Sequence, residues 1–444
     1  MNMKKIIFLG AGLVSRPGIR YLLQCDEIDL HVADLDKGKA VDIIGKHFRG
    51  NAHALDVNQP EQLGELISGS KVVVSMLPYT YHTQIAELCL ENNIHLVTAS
   101  YVSDSMLALD KAARAKGLLF LNELGADPGI DHMSAMQIIH KLKGENAKIL
   151  SFESDCGGLP APESNNNPLG YKISWSPRGI VMAGRNGAKF LKDNEIINVP
   201  KGELFNYHWR KKINGLGEME VYPNRDSTIY QSLYGLEDAH TVIRGTIRYT
   251  GWSNLMLALQ KLGYLDDTEN PELRRSTIRR VTGLLLKATP AQDFFRKCAE
   301  FFNLPVDSLL IKQLRWLGLF DDIPLSDLSY ASPLDVIAKL MTLKMQYLPG
   351  EQDMLVMEHN IVAEYPDGRR DSIISTLLDY GQPGGDTSMS RTVSLPAAIG
   401  ARLIANDKIP LTGVHIPIQP EIYQPVLKEL AAFGIQLREI KKQI

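Results

Sequence analysis

An α/β fold is what this chain predicts, and three observations carry the prediction. Short apolar runs alternate with segments of helical period across residues 4–130. The first apolar run ends in the small-residue turn Gly10-x-Gly12-x-x-Ser15. After residue 150 the texture changes to longer β-like pieces, broken by a stretch of helical period over residues 253–350.

Each element follows in order. KIIFLG (5–10) reads as a buried strand closed by glycine, and VSRPGIRYLLQC as a helix with Pro17 in its first turn, where a missing N–H costs least. The lysines and apolar run of MNMKKIIFLGAGLV look superficially like a secretion signal. The glycines and the lack of a small-residue cleavage site favour a first strand instead. IDLHVADLD is a second strand, KGKAVDIIGKHF a second helix, and KVVVSMLP, HLVTASY and LLFLNEL are further strands. Such alternation is the mark of an open, mostly parallel sheet with helices on both faces. GIDHMSAMQIIHKLK is helical, and KILSFESDCGG, EMEVYPNRDST, HTVIRGTIRYTG, DMLVMEHNIVAEY and RRDSIISTLLDYG are strand-like, the last two a hairpin about Pro-Asp-Gly. TVSLPAAIGARLIAND is a helix, and VLKELAAFGIQLREI another that runs into a short strand.

Composition narrows the partners. The chain of 444 residues is 44% apolar and 22% charged with a net charge of −3, which gives no support for nucleic acid or an anionic membrane. No apolar run reaches the ~20 residues of a spanning helix. Cys25, Cys89, Cys156 and Cys298 are scattered without a C-x-x-C pair, so the expectation is a cytoplasmic protein with reduced thiols and no metal.

Two constellations carry chemistry. In the first, Gly10 permits a tight turn, Gly12 lets backbone approach a pyrophosphate, and Ser15 is small enough for close strand–helix packing. The helix N-terminus adds unpaired N–H groups and partial positive charge, so this is a dinucleotide cradle of Rossmann type. Asp34 ends the second strand, where an acid takes ribose hydroxyls and repels a 2′-phosphate, and no arginine follows it. NAD is therefore expected over NADP. Asp56 sits on the adenine side or is a simple cap, and Met76 and Leu77 wall the cofactor.

The second constellation is polar. TASYVS (98–103), ELGADPGIDH (123–132), the run CGGLPAPESNNNPLGYKISWSPRG (156–179) and YPNRDST…VIRGTIRY (222–249) hold residues a core would not choose. Arg225, Arg244 and Arg248 lie in or beside apolar strand sequence, where a cation needs an anion: a substrate carboxylate, or an internal partner such as Asp226 or Glu220. Asp127 either projects a carboxylate or forms a turn, and Tyr101 and Cys156 either handle a proton or fill core. His132 lies in the first turn of a helix, as a cap, in a satisfied packing role or as chemistry. The residues alone imply a nucleotide-dependent oxidoreductase acting on a small anionic molecule.

LPYTYH, TASYVS, ELGADPGIDHM, the 156–179 run, YPNRDS and IRGTIRY, with RWLGLF and PEIYQPVLKEL further on, closely resemble the saccharopine dehydrogenase family, in its L-glutamate-forming branch, over essentially the whole chain. The resemblance implies a Rossmann-type domain (1–130, completed by 392–444), a mixed-sheet α+β substrate and dimerisation domain (131–252 and 351–391) and a helical insertion (253–350). It implies a homodimer acting on saccharopine, a secondary amine with three carboxylates. Ser100, Tyr101, Asp127, Arg225, Thr246, Ile247 and Arg248 would touch that substrate. Gly12, Leu13, Val14, Asp34, Leu35, Asp56, Trp175 and Ser176 would touch the dinucleotide. Asp127, Tyr101 and Cys156 are the candidates for proton handling. Ala126, where relatives often carry leucine, and Arg391, where lysine is familiar, depart from the pattern. The 156–179 run is expected to be an ordered loop over the cleft between the domains, with Trp175 toward the cofactor. The rivals are a carboxynorspermidine dehydrogenase or another opine-like coupling enzyme, and a non-catalytic dinucleotide-binding regulator.

Overall fold

The structure, a computed structural model, describes residues 3–289 and 292–444. By compactness the chain divides into two units, Met1–Ile149 with Ala363–Ile444, and Leu150–Val362.

The first unit begins with β1 (Lys4–Leu9), α1 (Arg16–Leu23), β2 (Ile28–Asp34), α2 (Lys37–Ile44), β3 (Gly50–Ala54), α3 (Pro60–Ile67), β4 (Val72–Ser75), α4 (His82–Glu91) and β5 (His95–Thr98). Two short helices, α5 (Asp104–Leu107) and α6 (Asp110–Ala115), lead to β6 (Leu119–Leu121), α7 (Ile130–Gly144) and β7 (Lys148–Pro160). The second unit continues with α8 (Pro177–Ala183), β8 (Ala188–Lys192), β9 (Glu195–Val199), β10 (Trp209–Ile213), β11 (Gly217–Pro223), β12 (Arg225–Asp226), α9 (Ile229–Leu233) and β13 (Thr241–Arg248). Helices α10 (Trp252–Lys261), α11 (Ile278–Leu285), α12 (Phe294–Phe302), α13 (Leu309–Leu317) and α14 (Pro333–Lys344) fill the stretch read as helical, before β14 (Asp353–Glu364). The chain ends with β15 (Arg370–Tyr380), α15 (Ser388–Ala405), β16 (Gly413–His415), α16 (Pro420–Ala432) and β17 (Arg438–Gln443).

In the first unit a parallel sheet runs β16-β6-β5-β4-β1-β2-β3. Strands buried on both faces read as continuous apolar runs, which is why IIFL and VVV stand out in the sequence. One face of the sheet packs Ile7, Leu9, Val73, Leu96, Phe120 and Val414 against Leu63, Ile67, Ile85 and Cys89 of α3 and α4. On α1, a side chain at Gly18 would collide with the carbonyl of Ser394, so glycine is what lets α15 lie this close. The order reverses between β1 and β4, and the carboxyl ends of strands at such a switch point are where open α/β sheets bind ligands. The Pro366-Asp367-Gly368 turn is closed by Tyr365 N–H to Arg369 O at 2.8 Å.

In the second unit β10-β11-β13-β7-β14 form a mixed sheet, β13 parallel to β7 and antiparallel to β11. β8 pairs antiparallel with β13 and β9, and parallel with β12. The run at 156–179 is not loop throughout: β7 extends to Pro160 and α8 begins at Pro177. What lies between is tied down at many points. Asn167 Nδ2 donates to Tyr171 O at 2.8 Å, Ile173 N to Met345 O at 2.7 Å, and Gln313 Nε2 to Pro168 O at 2.8 Å. Lys172 pairs with Glu351. A linker makes no such set of bonds, and this segment is ordered.

Candidate active site

The first unit supplies the turn after β1. Gly10 has φ +97°, and a Cβ there would stand 3.3 Å from Met76 O and from Leu77 Cδ2, so the turn is pressed against the end of β4. Gly12 differs: a Cβ there would meet no protein atom within 4 Å. That open space is compatible with the close backbone approach expected of a pyrophosphate cradle. Replacing Gly12 with alanine is expected to leave the unfolding free energy within ~0.5 kcal/mol of wild type. It should weaken dinucleotide binding at least about tenfold, which denaturant melts beside a fluorescence titration would check. Ser15 is buried, Leu13 is exposed and Val14 half-exposed at the same turn.

Asp34 is the predicted site residue whose setting differs most from expectation. Its Oδ2 accepts the Ala11 amide at 2.8 Å and its Oδ1 the Asp36 amide at 2.9 Å, with Lys39 Nζ 3.9 Å away. The carboxylate clips the glycine turn to the β2–α2 corner, with its charge shared by two N–H donors. Leu35 beside it is 76% exposed. Asp56 forms a turn of its own, accepting from Asn58 N at 3.0 Å and Nδ2 at 2.9 Å.

Beyond β5 and β6 the unit gathers polar groups. Tyr101 Oη donates to Asp127 Oδ1 at 3.1 Å, which joins two of the three proton-handling candidates. Glu123 props this corner from beneath. It is buried at φ +58°, its Oε1 accepts the Val102 amide at 2.9 Å, and its Oε2 lies 2.7 Å from His132 Nε2. Its own amide donates to Ser100 O at 3.1 Å. His132, fully buried against Glu123, takes the satisfied packing role among its expected alternatives. Glu123 and His82 were not singled out from sequence, although a carboxylate at the end of an apolar strand is a signal of the kind that found Asp34. His82 Nδ1 lies 3.1 Å from Ser75 Oγ and its Nε2 2.9 Å from Ser100 Oγ. Burial pushes its pKa down from 6.5 to about 4. Between these values the unfolded chain binds a proton that the folded chain refuses, so stability is lost as pH falls through that window. The contribution is at most about 1.4 kcal/mol per pH unit. Melts at pH 7, 5.5 and 4.5 are expected to show a shallower decline for His82→Asn than for wild type.

The second unit presents one face of β11, β13 and β7. Cross-strand register aligns Tyr222, Thr246 and Cys156, with Glu220 opposite Arg248 and Ser154 opposite Arg244. Arg248 is 7% exposed and lies 5.0 Å from the ring centre of Tyr171, 5.7 Å from Trp252 and 5.9 Å from Tyr222. Its Nη1 donates to Ile247 O at 2.8 Å, while its buried Nε has no partner among the described residues. The carboxylates that might have neutralised it are engaged elsewhere: Glu220 accepts the Gly251 and Ser253 amides at 2.9 and 2.7 Å, and Asp226 accepts the Thr228 amide at 2.8 Å. Arg244 bonds the Tyr230 hydroxyl and lies over that ring. Arg225 is exposed at φ +55°. Ile247 alternates to the other face of its strand and is fully buried. Trp175 Nε1 donates to Tyr171 Oη at 3.1 Å, and Ser176 caps α8 through the Gly179 amide at 3.2 Å. Of the two departures, Ala126 is buried. Arg391, in the first unit, reaches Asp379 Oδ1 (3.2 Å), Tyr380 O (3.1 Å) and Phe433 O (2.7 Å), a span suited to a guanidinium fork.

Two family models together cover most of the chain. Residues 6–121 match the saccharopine dehydrogenase NADP binding domain, and residues 125–435 the saccharopine dehydrogenase C-terminal domain. The chain is 36% identical, over 98% of its length and 99% of the relative's, to the saccharopine dehydrogenase (NADP(+), L-glutamate-forming) of Schizosaccharomyces pombe. It is also 36% identical, over 97% of its length, to the mitochondrial alpha-aminoadipic semialdehyde synthase of Bos taurus, 47% of which it spans. The solved structure of apo saccharopine dehydrogenase (L-Glu forming) from Saccharomyces cerevisiae superposes with a TM-score of 0.88 at 34% identity, covering 99% of this chain and all of that one. These matches overturn the expectation of NAD, because the fungal saccharopine dehydrogenases among the relatives are named for NADP(+) and the matching domain is an NADP binding domain. The physical reason is the setting of Asp34: turned onto two backbone amides, with the exposed Lys37 and Lys39 beyond it, the carboxylate is not an open charge that bars a 2′-phosphate.

Proposed function

The chain belongs to the saccharopine dehydrogenase family, and from that premise we propose that it is the L-glutamate-forming enzyme, interconverting saccharopine with L-glutamate and 2-aminoadipate 6-semialdehyde. It is an oxidoreductase of the CH–NH class, and NADP is its proposed cofactor. When bound, the nicotinamide supplies acceptance and return of a hydride; Gly10, Gly12, Leu13 and Val14 would hold the pyrophosphate side, with Met76 and Leu77 as wall. The chain's own residues do the rest. Arg248 holds one carboxylate of saccharopine, with Arg225 as the second anion contact, and so orients the carbon that is oxidised; such positioning can supply several kcal/mol of the barrier. Oxidation requires the secondary amine in its neutral form, and water then adds to the imine carbon so that the C–N bond breaks to release the glutamate amine and leave the semialdehyde. Asp127, held by the Tyr101 hydroxyl at 3.1 Å, is the carboxylate proposed to take that proton, with Cys156 as the third candidate.

One observation carries this reading: Arg248 is a buried guanidinium in an aromatic box, with an unpartnered Nε and no carboxylate of the described residues within ion-pair distance. A charge left so in the interior is costly unless a ligand anion completes it. The test is reduction of NADP(+) or NAD(+) by purified protein with saccharopine, carboxynorspermidine or neither. Turnover specific to saccharopine and favouring NADP(+) is expected; no signal with saccharopine under either cofactor would overturn the proposal. The proposal extends to a cytoplasmic homodimer. Four scattered cysteines with no C-x-x-C pair support the compartment, and the family resemblance supports the dimer, which sedimentation would register as twice 49.4 kDa.

A further inference from the structure

We propose that His82 is a positioning residue that sets which way the Ser100 hydroxyl faces the bound substrate, a role that rests on the reading above for what that substrate is.

His82 opens α4, and its ring joins two hydroxyls that the sheet brings close. Ser75 ends β4, and in the register Ser75↔Thr98 the chain reaches Ser100 two residues beyond the end of β5. Nδ1 lies 3.1 Å from Ser75 Oγ and Nε2 2.9 Å from Ser100 Oγ. Ser75 is fully buried, His82 is buried and Ser100 is half-buried, so the chain of hydrogen bonds runs from the interior outward.

A neutral imidazole carries one N–H, so this chain has two polarities. In one, Ser75 donates to Nδ1 and Nε2–H donates to Ser100, which leaves the Ser100 proton for an outer acceptor such as a carboxylate. In the other, Ser100 donates inward to Nε2 and Nδ1–H donates to Ser75, which leaves the Ser100 lone pairs for an outer donor such as an amine. Burial holds the ring neutral across the neutral range, so the tautomer it adopts fixes one of these two polarities. The fully buried Ser75 closes the inner end, and no proton leaves the protein by this route. The device therefore orients a hydroxyl and does not shuttle protons. The backbone of Ser100 is fixed independently by the Glu123 amide at 3.1 Å, so only the hydroxyl direction is left for His82 to set.

The experiment is a double-mutant cycle of His82→Leu and Ser100→Ala, read as saccharopine KM and kcat with NADP(+) saturating. Each single variant is expected to raise KM about tenfold, the loss of one hydrogen bond to a charged group. The double variant should be no worse than Ser100→Ala within about twofold, because the histidine acts through the serine. Penalties that multiply would overturn the proposal. Should His82→Leu fail to fold, imidazole 15N signals of ligand-free wild type and Ser100→Ala decide the matter. A neutral ring whose tautomer balance shifts in Ser100→Ala supports the proposal; an unchanged balance contradicts it. Wild-type protein that does not turn over saccharopine would refute the substrate reading alone, and the ring signals would still test His82.

Discussion

Methionine in place of Arg248 is expected to raise the KM for saccharopine about a hundredfold while leaving the folded protein as stable as wild type or more so. A charge-assisted bond to a carboxylate in a desolvated site contributes about 3 kcal/mol, which is about a hundredfold in affinity. The stability of the free protein should move the other way. Arg248 is 7% exposed, and its Nε meets no partner among the described residues. Apolar side chains that replace buried charge are often neutral or stabilising. Methionine also keeps contact with the rings of Tyr171, Tyr222 and Trp252. Steady-state kinetics and a denaturant melt on the same preparation would check both halves. A structural role predicts the reverse pattern, with stability lost and KM unchanged.

Gly129→Ala is expected to cost more than ~3 kcal/mol of unfolding free energy, or to yield no folded protein. Gly129 has φ +145°, and a Cβ there would overlap the backbone of Gly125. The same few residues are knotted together by Gly125 N to Pro128 O at 3.0 Å, Ile130 N to Gly125 O at 2.9 Å and Gly129 N to Asp131 Oδ1 at 2.5 Å. Relief of the overlap would dismantle the turn that carries Asp127 and starts α7. Gly144→Ala, at the other end of that helix with no atom within 4 Å of the new Cβ, is the control; it should stabilise by up to about 1 kcal/mol. Urea melts of both variants suffice, and equal stabilities would refute this account of the turn.

What was legible in the sequence had local causes. Gly10 and Gly12 could be read because a strand–turn–helix around a phosphate needs small residues at fixed spacing. Arg248 could be read because a cation in an apolar strand is costly, and the 156–179 run because rigid prolines and embedded aromatics do not make a linker. What was not legible depended on partners brought together by the fold. The Ala11 amide that Asp34 accepts is 23 residues away, so the setting of this acid could not be read from its place at the strand end. Ser75, His82 and Ser100 meet only because β4 and β5 are neighbours in parallel register. β16 is three residues long, too short for any period to show, yet it forms the edge of the first sheet. β7 follows the strand-like KILSFESDCGG and goes on only through Leu159 to Pro160, where a proline gives no strand signal; within it Gly157 is required because the strand crowds Ile247 O.

The most direct test of the central claim is the identity of the products. Protein, saccharopine and NADP(+) are incubated together and the amino acids separated by mass. L-Glutamate and 2-aminoadipate 6-semialdehyde, formed in equal amounts with reduced cofactor, is the result expected. Lysine and 2-oxoglutarate instead would mean cleavage on the other side of the amine, and would contradict the account.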